Sequence, residues 1–136
     1  MDFKALATLI RQNPDWQTMN DDDLAAWCNE KAVQRIADRI NSDQLYELID
    51  GAEFTGKSQE QQNEIWNILL LFANSGVPTT AGSRARSRLV AIFGAQSTTI
   101  ANVVAAITFQ VSRASAASVG KDTVTAGDVQ YARANP

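Results

Sequence analysis

Apolar residues recur along this chain at helical spacing, in stripes separated by residues that cap helices. Phe3, Leu6, Leu9 and Ile10 form the first stripe, which Pro14 closes. Asn20 precedes Asp21, Asp22 and Asp23, which place negative charge in the first turn of a helix carrying Leu24, Trp27 and Cys28. Val33, Ile36 and Ile40 continue at i, i+3 and i+7, with Arg35 and Arg39 four apart on a neighbouring face. Ser42 opens a short helix with Leu45, Leu48 and Ile49, which Gly51 ends. Ser58 with Gln61 makes a capping box, and the run beyond it (Ile65, Trp66, Ile68, Leu69, Leu70, Leu71, Phe72) is apolar nearly all round. Such a helix is expected at the centre of a fold.

The clearest break is Asn74-Ser75-Gly76-Val77-Pro78. After it, Gly82 or Ser83 starts a helix with Leu89, Val90, Ile92 and Phe93, ended by Gly94. Ser97 or Thr98 opens the longest stripe, Ile100, Val103, Val104, Ile107 and Val111, which Gly120 stops. Thr125 with Asp128 caps a last helix carrying Val129, Tyr131 and Ala132. No stretch shows sustained apolar/polar alternation, and no hairpin turn lies between strand-like runs. The pattern predicts an all-α fold: a compact bundle of six to seven helices, with a buried central helix near 59–73 and a long helix near 98–118.

Composition narrows the class. The 136 residues include no histidine and one cysteine, which excludes His-ligated zinc, Ser-His-Asp and Cys-His catalysis and an internal disulfide. The longest strongly apolar run, Ile68 to Ala73, is far below the roughly 20 residues of a membrane span. Met1-Asp2-Phe3-Lys4 lacks a basic region leading into an apolar one, so no secretory signal is expected. One domain over 1–136 is expected, acidic over residues 1–73, broken at 74–80 and basic over residues 81–136. Residues 1–66 hold 13 acids and 6 bases (−7), and residues 67–136 hold 2 acids and 6 bases (+4), for a net −3.

Chemistry-bearing groups are few. Asp21, Asp22 and Asp23 are adjacent, and successive helical residues point about 100° apart, so they do not converge on one ion. Ser42, Ser58 and Ser97 read as caps, and Cys28 as a buried small hydrophobe. No nucleophile and base can be paired, so neither an enzyme, a cofactor site nor a metal site is expected. Arg84, Arg86 and Arg88 alternate at the start of a helix, where positive charge opposes the macrodipole, which points to an anionic partner. With Arg113 they could serve a small nucleic-acid-binding regulator, although a pI near 4.8 lacks the basic field of non-specific DNA binding. Trp27 and Trp66 fall in core stripes; Trp16, in Asn13-Pro14-Asp15-Trp16, is the one tryptophan whose loop position also suits an interface anchor, although core packing is the favoured reading there too.

Two resemblances arise. Asp122 to Ala132, preceded by a long helix, locally resembles the last helix of a core histone, but the long helix offers only Arg113 where histones are rich in Lys and Arg. More broadly, the chain resembles small helical structural proteins of tailed bacteriophages. The residues that carry this are Met19 to Ala25, Asp50-Gly51-Ala52-Glu53-Phe54, the Trp-containing apolar helix, Ile92-Phe93-Gly94, and the run Ser112-Arg113-Ala114, Gly120, Val124 to Val129 and Ala132-Arg133. Where that family often has Glu-Leu-Gly after Ser-Arg-Ala, this chain has Ser115-Ala116-Ala117.

The resemblance implies a non-enzymatic virion protein, assembled in the bacterial host cytoplasm. It would form a homo-oligomeric ring as a head–tail connector or neck adaptor, between portal and tail proteins and without a membrane role. Arg84, Arg86 and Arg88 would then meet an acidic neighbour or the packaged DNA, and Trp16, Arg113 and Arg133 would serve adjacent subunits. A tail-tip or capsid-decorating position is the alternative within the virion.

Overall fold

The computed structural model describes residues 1–136. Nine helices hold 55% of the residues, but four strands form two small sheets, so the fold is mixed α/β and the all-α expectation is corrected. The chain, expected as one domain, divides into two compact units: a terminal unit of Met1–Arg35 with Gln110–Pro136, and a central unit of Ile36–Phe109. The sequence break at 74–80 lies inside the central unit.

In the terminal unit, α1 (Phe3–Ile10), α2 (Asp21–Asn29), α8 (Arg113–Ala116) and α9 (Ala126–Ala134) enclose a core of Leu6, Ile10, Leu24, Cys28, Val119, Val124 and Val129. Caps set the helix starts: the Asp2 side chain accepts from Ala5 N–H, Asn20 from Asp23 N–H, and Thr125 and Asp128 form a reciprocal box. The amide of Asn29 exchanges two 2.8 Å hydrogen bonds with the backbone of Val124, tying the end of α2 to the loop before α9.

The central unit contains α3 (Ser42–Leu48), α4 (Gly51–Thr55), α5 (Gln59–Leu71), α6 (Arg84–Phe93) and α7 (Thr98–Ile107). Their core gathers Leu45, Ile65, Ile68, Leu69, Leu89, Ile92, Phe93 and Ile107. Strands β2 (Arg39–Ile40) and β3 (Val77–Pro78) pair antiparallel, Ile40 opposite Val77. Gly76 precedes β3 at φ +82°, a conformation that side-chain-bearing residues rarely adopt. Gly51, expected to end a helix, begins α4, because Asp50 caps it by accepting from Glu53 N–H.

The chain passes between the units along β1 (Lys31–Ile36) and β4 (Thr108–Ser112), which pair with each other. Both lie where the apolar spacing predicts helices. The long helix of 98–118 ends at Ile107, where the chain turns extended, and the short α8 follows β4. Thr108, Phe109 and Val111 are β-branched or aromatic and suit a strand, and the partner is some 75 residues away in sequence. The histone-like arrangement depended on that long helix and does not form.

The buried central helix of 59–73 is also corrected. Helix α5 buries only Ile65, Ile68 and Leu69, while Trp66 is 44% exposed, Leu70 72% and Leu71 75%. A 13-residue helix packed on one side of a small unit offers the core a single stripe, however apolar its other face. No helix is long and apolar enough to cross a membrane.

Candidate interaction surfaces

The arginines singled out by their sequence positions have different fates. Arg88 meets Glu64 of α5 through two parallel bonds, Nε–Oε2 at 2.7 Å and Nη2–Oε1 at 2.8 Å. This fork holds the Glu64 carboxyl below the usual range and raises the guanidinium, and it ties α6 to α5. Arg86 sends Nη1 to the carbonyl of Thr79 at 2.9 Å. Arg84 is exposed with no ion-pair or hydrogen-bond partner in the chain. The cluster therefore does not act as one patch.

In the terminal unit, the Arg113 guanidinium lies 4.4 Å from the centre of the Trp27 ring. Its Nη1 donates to the Trp27 carbonyl at 2.8 Å and to Glu30 Oε2 at 2.9 Å. Arg133 directs Nη2 to the carbonyls of Trp16 (2.5 Å) and Met19 (2.6 Å), and its Nη1 stands 3.1 Å from Asp21 Oδ1. It thus fastens α9 onto the loop that enters α2. Trp16 is half-buried against the terminal core, with the Arg11 guanidinium 5.9 Å from its ring.

These pairings account for the split of charge along the sequence. Arg88, Arg113 and Arg133, all from the basic stretch, each pair with an acid from the acidic stretch. Lys121 pairs with Asp128. Counted by unit, eight acids and seven bases leave the terminal unit at −1, and seven acids and five bases leave the central unit at −2. Neither unit inherits the strong polarity of the sequence halves.

Two features of the central unit went unread in the sequence. Glu53 of α4 lays its carboxylate across the first turn of α7, accepting from Thr98 N–H at 2.8 Å and Thr99 N–H at 2.7 Å. A side-chain bond with Thr99 and these amides hold its carboxyl below the ordinary range. The second is an exposed apolar surface. Tyr46 (53% exposed) stands 5.7 Å from Trp66, whose ring also meets Phe54 edge-on, and Leu70 follows one turn along α5. A shallow hollow between Tyr46, Ile49, Phe54, Trp66 and Leu69 continues this surface. The signal was present, since seven apolar residues between 65 and 72 exceed what one face of a helix can bury.

Cys28 is fully buried, and that burial pushes its thiol up to about 11, so it offers no nucleophile at neutral pH. No three His, Cys, Asp or Glu side chains cluster as metal ligands do. Comparison with protein-family models, with curated proteins and with solved structures finds no match to this chain.

Proposed function

We propose that this chain is a non-enzymatic structural subunit of a tailed-phage virion, a ring-forming connector between head and tail. The single observation that best supports an assembly role is the surface of Tyr46, Trp66, Leu70 and Leu71, four large apolar side chains each 44% or more exposed on neighbouring helices. Isolated exposed apolar residues are ordinary, but a contiguous group centred on an aromatic residue is typical of a surface that meets another protein. The placement in a virion, with portal and tail proteins as neighbours, rests on the resemblance in motif order. The arginine contacts are reassigned. Arg88, Arg113 and Arg133 are paired within the chain and Arg86 is half-buried with one N–H on the Thr79 carbonyl, which leaves Arg84 as the exposed arginine of the set available to meet a neighbour or packaged DNA. A nucleic-acid regulator loses most of its basic surface by the same pairings.

Sedimentation of the purified chain, alone and with the portal and tail proteins, tests the proposal. Rings or defined oligomers are expected, and the double substitution Leu70→Ser/Leu71→Ser should disperse them without lowering the melting temperature. A chain that stays monomeric in every mixture would overturn it.

A further inference from the structure

The central unit contains a cavity of about 160 Å³ between α6, α7 and the β2–β3 pair, walled chiefly by Ile40, Val77, Leu89, Phe93, Val103 and Ile107. Its volume is close to that of an apolar cavity of about 150 Å³ that stays dry and takes up benzene. An unfilled apolar cavity destabilises a protein in proportion to its volume, so an apolar guest that enters this one stabilises the fold. Ile36 (52% exposed) and Val104 (49%) are the lining residues that reach solvent furthest, and they mark the way in.

The polar groups in the wall decide what kind of guest fits. The Thr79 hydroxyl donates to the carbonyl of Ala37, and the Thr108 hydroxyl donates to that of Val104 at 2.6 Å. The Thr99 hydroxyl accepts the N–H of Asp50 at 2.9 Å. Arg86 remains. It is half-buried, spends one N–H on the Thr79 carbonyl, and belongs to none of the chain's four ion pairs. A guanidinium carries five donors, so most of its fork is left for an anion. Arg86 also lies in the first turn of α6, whose dipole favours negative charge there.

We propose that this cavity binds a small amphipathic carboxylate, an aliphatic or aromatic acid of about six to eight carbons. The hydrocarbon part fills the space walled by Leu89, Phe93, Val103 and Ile107, and the carboxylate rests on Arg86. This site lies within the central unit, away from Leu70 and Leu71, and does not depend on the assembly reading.

Calorimetric titration of the whole chain with hexanoate and with 1-hexanol tests it. Hexanoate should bind one to one and about tenfold or more tighter than the alcohol, the difference reporting the charge-assisted bond. Arg86→Met should bring hexanoate down to the level of the alcohol, and Val103→Phe, which fills the cavity, should abolish both. The comparison of acid with alcohol on the unaltered chain needs no variant, so a misfolded Arg86→Met leaves the test intact. Absence of saturable binding, equal affinities for acid and alcohol, or hexanoate binding undiminished in a folded Val103→Phe would each overturn the proposal.

Discussion

Replacing Arg133 with Met removes the guanidinium while keeping most of the stem that packs along α9. Nη2 makes two short bonds, to the carbonyls of Trp16 and Met19, and a hydrogen bond from a charged donor contributes about 1.5–3 kcal/mol. The side chain is 26% exposed and its Nε is buried without a partner, so the lower end of that range applies to each bond. The contact with Asp21 at 3.1 Å adds little, since Asp21 is itself one-third exposed. The expected loss is about 2–4 kcal/mol from the terminal unit. Urea unfolding reads it most cleanly in a Trp66→Phe background, where the remaining Trp16 and Trp27 both report that unit. The midpoint should fall with the slope unchanged. Arg84→Met, which removes a side chain with no partner, should shift stability by less than about 0.5 kcal/mol. An equally small effect of Arg133→Met would refute its role as an internal clasp and return it to the surface available to partners.

Two predictions concern pH. The Glu53 carboxyl is held low, so its stabilisation of the central unit is present above the ordinary glutamate range and is lost as pH falls through the depressed value. Glu53→Gln should lower the melting temperature at pH 7 and flatten its dependence on acid, and an unchanged acid profile would count against the clasp on α7. Asp128 is held down to about 2, first by Lys121 and then by its capping bond to the Thr125 amide. A carboxyl NMR titration should place its midpoint near 2. The stability it contributes should persist above about pH 4 and disappear as pH drops through 2. A midpoint near 4 would show that neither bond holds in solution.

The caps are legible in the chain because each is a local event. Asn20, Ser58, Ser83, Ser97 and Thr125 all accept from the amide three residues on, which a four-residue window reveals. The strands β1 and β4 are not legible, because periodicity reports burial and β1 has one half-buried residue among five exposed. Their order comes from pairing with each other across some 70 intervening residues that fold as the helices of the central unit, which leaves no local trace. The same limit governs the arginines. A cluster such as Arg84, Arg86 and Arg88 looks unbalanced when counted along the chain, yet the acid that balances Arg88 lies 24 residues away on another helix. Arg113 and Glu30 are 83 residues apart. The apolar excess of α5 is visible but reads as core, since sequence alone does not say how many sides of a helix a fold will cover.

Association through Trp66, Leu70 and Leu71, with most arginines satisfied internally, is the central claim, and its dependence on salt tests it most directly. Raising the ionic strength from about 0.1 M to about 1 M shortens the screening length from about 10 Å to about 3 Å, which weakens charge-guided contacts and spares apolar ones. Sedimentation across that range should show self-association held constant or strengthened. A tenfold or greater loss of association at high salt would contradict the claim and place the contact on charged surfaces instead.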